Sequence, residues 1–182
     1  MSDTSKNALI QTQKRDALHD LTNTAQEGQG QYLTFVLADE TYGVDILKVQ
    51  EIRGWQEVTT IPNAPPHIRG VMNLRGAIVP ILDLRRRFTM PEVDLTPNTV
   101  VIVVNVLGRT IGMVVDGVSD VVDLMADELR DAPDLGSNID ADFVQGLAPI
   151  GEIMVIILNV DDMLKSSDMV SLDKITNEEQ TQ

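Results

Sequence analysis

The sequence predicts an all-β protein: two tandem SH3-like five-stranded β-barrels packed together, with short helical turns and flexible termini. Two observations carry this. First, the chain repeats itself. Ile68–Leu84 (IRGVMNLRGAIVPILDL) aligns without a gap on Val144–Val160 (VQGLAPIGEIMVIILNV), 76 positions on. Tyr32–Ile52 aligns on Val101–Val121, 69 positions on. Gly70 meets Gly146, Asp83 meets Asn159, Gly43 meets Gly112 and Glu51 meets Asp120. A duplicated unit implies two similar small domains and a junction between them, where binding sites tend to form. Second, each unit reads as about five short strands over roughly sixty residues, with apolar side chains on consecutive positions. That pattern suits a small closed barrel better than an open sheet.

The elements follow in order. Residues 1–30 read as a polar N-terminal tail ending in a flexible linker, QEGQG; Leu9, Ile10, Leu18 and Leu21 are too irregularly spaced for a stable helix. Tyr32–Leu37 is a compact apolar strand, Ala38–Thr41 a turn, and Tyr42–Ile46 the return strand. Leu47–Ile52 continues as a strand or bend, and the prolines of Thr60–Ile68 mark a loop. Gly70–Asp83 is a closing hairpin. Pro80 cannot donate to a ladder, which predicts an edge strand or a bulge there. In the second unit Thr99–Leu107 and Thr110–Val115 flank Gly108-Arg109, which suits a type II′ turn. Asp116–Val122 continues as a strand or bend, Asp123–Asp142 is a loop, and Gly146–Asn159 closes the unit. Asp161–Ser166 is a last helical turn capped by Asp161. One domain thus spans 31–166, with barrel units at about 31–88 and 99–166, strand exchange between them left open, and a polar tail over 167–182.

Composition excludes several classes. The net charge of −14 argues against nucleic acid, whose phosphates need a basic face. No cysteine is present, so there is no disulfide framework or thiolate metal site. The N-terminus lacks a signal-peptide pattern, and no apolar run approaches the ~18 residues of a membrane span, so the chain reads as cytoplasmic. Charge is uneven. Gln31–Phe88 carries seven basic and six acidic residues, whereas Thr89–Lys165 carries three and fourteen. Acidity that keeps the protein soluble and two halves steered to different partners both fit this divergence.

Two residues attract attention. Arg75-Gly76 occupies the tip of the first closing hairpin, where a primed turn would force Arg75 to positive φ; its side chain is then the reason to keep it, unless the turn is bulged. Glu51 stands between Val49 and Ile52 and needs a partner or water, and Arg75 would offer a directional one. Met72, Val49, Val71 and Val121 read mostly as core. No enzyme motif stands out. His19 and His67 lack triad partners, and no phosphate loop occurs. The acids Asp116, Asp120, Asp123, Asp127 and Glu128 miss the alternating spacing of a calcium loop, and Asp140 and Asp142 are weak cation candidates. No cofactor and no metal is expected.

The segments YGVDILKVQEIRGW, HIRGVMNLRGAIVPILDLRRRF and VVIVVNVLGRTIGMVVDGVSDVV closely resemble the CheW family of chemotaxis coupling proteins, in the right order over about Gln31–Leu172. The resemblance implies two SH3-like barrels, no catalysis, and an adaptor role. Its partners would be the cytoplasmic tip of methyl-accepting chemoreceptors and the regulatory domain of the histidine kinase CheA. The receptor tip would dock in an apolar groove at the barrel junction. The family's protein-binding positions map onto Val49, Glu51, Gly70, Arg75, Gly112 and Val121, with a Glu–Arg pair at Glu51 and Arg75. The two glycines would either touch a partner or allow close packing. Rival readings are a metal-dependent hydrolase built on the acidic clusters and a scaffold without receptor contact. A CheV-type protein would add a receiver domain after such a module, and a CheA fragment would show kinase motifs before it; the sequence leads us to expect neither.

Overall fold

The inner strands of the second sheet are buried on both faces, which is why they read as unbroken apolar runs. The structure is a computed structural model and describes residues 29–133, 141–164, 168 and 171–174. Ten strands run β1 (Gln29–Leu37), β2 (Glu40–Asp45), β3 (Val49–Gly54), β4 (Ile68–Leu74), β5 (Ala77–Asp83), β6 (Val100–Val106), β7 (Arg109–Val115), β8 (Gly117–Met125), β9 (Val144–Ile150) and β10 (Ile153–Leu158). Two short helices, α1 (Leu84–Arg87) and α2 (Val160–Met163), follow the closing hairpins. The suggested N-terminal helix, His19, Asp140 and the tails 1–28 and 175–182 lie outside the described residues.

The all-β, two-sheet expectation holds. The first sheet runs β8-β1-β2-β10-β9 and the second β3-β6-β7-β5-β4. Neither coincides with a contiguous half of the chain. The hairpin β6–β7 of the second unit sits between β3 and β5–β4 of the first, and β1–β2 sits reciprocally between β8 and β10–β9. The strand exchange that the sequence left open is therefore complete. Exchanging each strand for its repeat partner converts one order into the other.

Burial explains the patterning. Along β6, Val101 and Val103 face the inside of the second barrel with Val79, Ile81 and Val114. Ile102, Val104 and Val106 face the opposite way, into a core shared with Leu33, Phe35, Val44 and Leu158 of the other sheet. All three phenylalanines of the chain, with Tyr42, form one row in that core: Phe35–Tyr42, Tyr42–Phe88 and Phe88–Phe143 centroids are 5.8, 6.0 and 6.3 Å apart. Burial and the Glu40 carboxylate push the Tyr42 hydroxyl up to about 12. Arg87 caps the row, 4.5 Å over Phe143.

Each barrel closes through one isolated bridge. Thr59 and Val71 exchange two backbone hydrogen bonds of 2.9 Å, and Arg130 and Leu147 exchange two of 2.8 Å. In both cases a glycine precedes the bridged residue. A Cβ on Gly70 would run into the Thr59 carbonyl, and one on Gly146 would lie 2.8 Å from the Arg130 carbonyl oxygen. Gly70 also holds φ +150°, where side chains are disfavoured.

Several local expectations are corrected. Gln29 and Gly30 belong to β1 rather than to a linker, and β8 extends through Asp123–Met125. Pro80 sits in an interior strand, not an edge, one residue from a bulge of β4 between Ile68 and Gly70; β5 pairs with β7 only over Ile81–Asp83, so its missing N–H lies outside that ladder. The β6–β7 turn is Leu107-Gly108, both at positive φ (51° and 81°), a type I′ turn in place of the II′ turn expected at Gly108-Arg109. Its signal was Asn105, whose side-chain oxygen accepts from Gly108 N at 3.1 Å. Asn159, not Asp161, caps α2. The expected polar C-terminal tail is packed where it is described: Asp168 and Leu172 are buried, and Asp173 ion-pairs with Arg109.

The three consecutive arginines hold elements together. Arg85 grips Asp116 with two bonds (3.0 and 2.6 Å), and Ala38 N donates to the same carboxylate at 2.8 Å. Burial alone would raise the Asp116 carboxyl, but Arg85 and the Ala38 amide outweigh it and hold it below its usual range. Arg87 donates twice to the Met163 carbonyl. His67 Nε2 lies 3.2 Å from Asp168 Oδ1.

Three outcomes are expected. Gly70→Ala destabilises the fold by about 3 kcal/mol, combining backbone strain with loss of the two-bond bridge. Gly76→Ala, with φ +85° and open space around it, costs only about 1 kcal/mol; denaturant unfolding measures both. His67 is lowered from its ordinary value by burial, with Asp168 opposing and Arg87 reinforcing. A depressed histidine contributes stability above its unfolded pKa, about 6.5, and loses it as pH falls through the lower folded value. The melting temperature should therefore drop on acidification below about pH 6.5, and His67→Gln should flatten that drop.

Candidate functional site

The candidate site is built where β3 passes the tip of the β4–β5 hairpin. A register shift between Val49 and Glu51 bulges β3 against β6. Asn73 Oδ1 accepts from Gly76 N at 2.9 Å and braces the tip, leaving Arg75 and Gly76 at φ 53° and 85° in a type I′ turn. The turn is not bulged. Leu107 adopts the same conformation without an ionic partner, so a poor fit to the turn does not by itself single out Arg75.

The ion pair does. Arg75 reaches the Glu51 carboxylate, and Arg53 Nη1 approaches its other oxygen at 3.4 Å. Glu51 is mostly covered, with 24% of its side chain exposed, while Arg75 is 76% exposed. The carboxylate is therefore fixed by the fold and presents a bound guanidinium to solvent.

Three of the six predicted positions share one row. Glu51 pairs with Val103, Val103 with Gly112, Gly112 with Ile81 and Ile81 with Gly70, crossing all five strands of the second sheet. Gly70 and Gly112 are both buried. A Cβ on Gly112 would lie 2.6 Å from Ile81 Cδ1 and 2.9 Å from Val101 Cγ1. Internal packing accounts for both glycines. Val49 is half-buried on the next row, opposite Val104, and packs on the shared core. Val121 lies in the first sheet opposite Leu33 and is 46% exposed, which corrects its reading as core.

Sequence reasoning missed Leu47. It is 88% exposed in the 3-10 turn Ile46–Lys48, which Asp45 caps by accepting from Leu47 N at 2.9 Å. Its signal was an Asx cap two residues earlier, which turns the chain and lifts Leu47 out of the strand alternation. Ile52 is also half exposed, so apolar side chains flank the ion pair along the chain. Among the described residues no set of three His, Cys, Asp or Glu side chains is placed to hold a metal ion, and no helix is long and apolar enough to cross a membrane.

Residues 31–168 match the family described as the CheW-like domain. The chain belongs to the CheW-like domain family. It is 46% identical over 159 residues to the chemotaxis protein CheW of Klebsiella aerogenes, covering 87% of this chain and 96% of that one. Identity to the Rhizobium meliloti chemotaxis protein CheW is 34%, over 81% and 97% of the two chains. The crystal structure of the scaffolding protein TtCheW from Thermoanaerobacter tengcongensis superposes with a TM-score of 0.70 at 32% identity, covering 76% of this chain and 94% of that one. This family member is thus a chemotaxis scaffolding protein, and a scaffolding family is consistent with a role other than catalysis.

The exposure of Arg75 sets an expectation for this CheW-like fold. Arg75→Ala should change stability by less than about 1 kcal/mol, as surface ion pairs do, and leave the circular dichroism spectrum intact. A large loss of melting temperature would make the pair structural.

Proposed function

We propose that this protein is a non-enzymatic adaptor that couples methyl-accepting chemoreceptors to the histidine kinase CheA. It binds the cytoplasmic tip of the receptor and the regulatory domain of the kinase, and it works in the cytoplasm at receptor arrays. Membership of the chemotaxis scaffolding family supports the role, and the fixed Glu51–Arg75 pair carries the placement of a contact surface. Arg75 offers a positioned donor fork, and Leu47, Ile52 and Val49 supply neighbouring apolar surface along the chain. Val121 provides apolar surface on the other sheet. Gly70 and Gly112 contribute by holding the row on which Glu51 stands, not by contact.

Coupling of this kind needs no chemistry. A receptor whose two signalling states bind the adaptor–kinase assembly unequally shifts the kinase between its own states by that difference.

The test is CheA autophosphorylation with receptor signalling fragments, with and without this protein. Stimulation requiring all three components is expected. Arg75→Glu should reduce it at least about tenfold, and Arg75→Glu with Glu51→Arg should recover part of it by restoring the pair with reversed polarity. No stimulation from a folded sample with matched partners overturns the coupling role.

A further inference from the structure

The duplication lets one barrel serve as a template for the other. In the second barrel β5 and β7 pair only from Ile81 and Gly112 onward, so their beginnings splay apart. The fork holds a groove of about 510 Å³, and Leu172 and Asp173 from the C-terminal helical residues form part of its wall. Leu172 is buried, and Asp173 ion-pairs with Arg109 on the rim. An apolar residue followed by an acid thus seats on a fork with a basic rim.

The first barrel carries the same fork. β10 and β2 pair only at Ile156–Tyr42 and Ile157–Gly43, leaving Ile153–Val155 and Glu40–Thr41 unpaired with each other. The repeat offsets place Ile153 and Met154 where Ala77 and Ile78 stand, and Glu40 where Arg109 stands. A larger side chain stands at the first of these positions and one of similar size at the second, yet Ile153 remains 53% and Met154 45% exposed. The rim has changed sign. Glu40 and Glu152 are exposed, and neither makes an ion pair among the described residues.

We infer that the fork between β2 and β10 is a docking site for a helical segment of a partner protein in which an apolar side chain is followed by Lys or Arg. The apolar side chain takes the place that Leu172 takes in the other barrel, and the cation meets Glu40. The C-terminal segment of a second copy is unsuited, because its Asp173 would face Glu40. An anionic lipid surface is unsuited for the same reason. The inference does not rest on the coupling role.

The probe is a synthetic peptide with the sequence of residues 164–182 carrying Asp173→Arg, titrated into isotope-labelled full-length protein and followed by amide chemical shifts. Shifts at Ile153–Val155 and Glu40–Tyr42 are expected. Met154→Ser should weaken binding roughly tenfold and Glu40→Lys several-fold, both being exposed positions that leave the fold intact. The unmodified peptide should bind this fork several-fold more weakly than its Arg variant. Shifts confined to the groove beside Arg109, no shifts at all, or binding indifferent to both substitutions overturn the assignment. So does binding that appears only after removal of residues 1–28, which would make the fork the seat of the chain's own N-terminal segment.

Discussion

The fold depends on two backbones approaching closer than a Cβ allows. Each barrel is a five-stranded sheet closed by a single two-bond bridge between one outer strand and the segment that follows the other, Thr59–Val71 in one and Arg130–Leu147 in the other. So short a seam tolerates no spacer, and Gly70 and Gly146 supply the missing one. Gly112 and Gly43 meet the same demand one layer in, where the isoleucine of the parallel neighbour, Ile81 or Ile157, fills the Cβ's place. The four glycines matched by the internal repeat are therefore matched for one reason. In the second sheet two of them share a cross-strand row with Glu51, so closure of the barrel and placement of that carboxylate are one constraint.

Strand exchange changes what the repeat means. Each barrel takes its central hairpin from the opposite half of the chain, and the shared core between the barrels draws on both sheets. Stability then belongs to the whole chain, since neither half retains a closed sheet by itself. The charge contrast between halves also loses its simple reading. The first barrel combines β1–β2 with the acidic later strands, and Arg85, Arg86 and Arg87 are spent on Asp116, Glu92 and the Met163 carbonyl. The two halves do not correspond to two separately steered faces.

Much of this was legible in the sequence because it is local or periodic. The repeat offsets, the hairpins of both units and the suspicion of a Glu51–Arg75 pair all follow from short segments. Strand exchange was not legible, because β1–β2 and β6–β7 are both apolar hairpins and local propensity cannot choose which sheet each joins. Leu172 and Asp168 read as tail because their partners, among them His67 and Arg109, lie about sixty to a hundred positions away. Val121 read as core because β8 alternates weakly, with Val118 half-buried and Val121 exposed on an outer strand. The primed turn at Arg75-Gly76 was anticipated, whereas the one at Leu107-Gly108 was placed a residue late because turn chemistry was sought in the glycine and not in Asn105, which braces it from the preceding strand.

The Glu51–Arg75 pair is better understood as a positioning device than as a source of stability. A guanidinium three-quarters in water contributes at most about 1 kcal/mol to folding. Its carboxylate, however, is anchored on a bulged strand and approached by Arg53. The turn that carries Arg75 is itself braced by Asn73, so the backbone of Arg75 is fixed opposite that carboxylate. The pair biases the side chain toward that carboxylate before any partner arrives, so docking loses somewhat less rotamer entropy than an unpaired arginine would. Covering the pair with a partner's apolar surface would also lower the local dielectric and strengthen the interaction at the moment of binding. An ion pair of little weight in the isolated protein can in this way weigh heavily in its complexes.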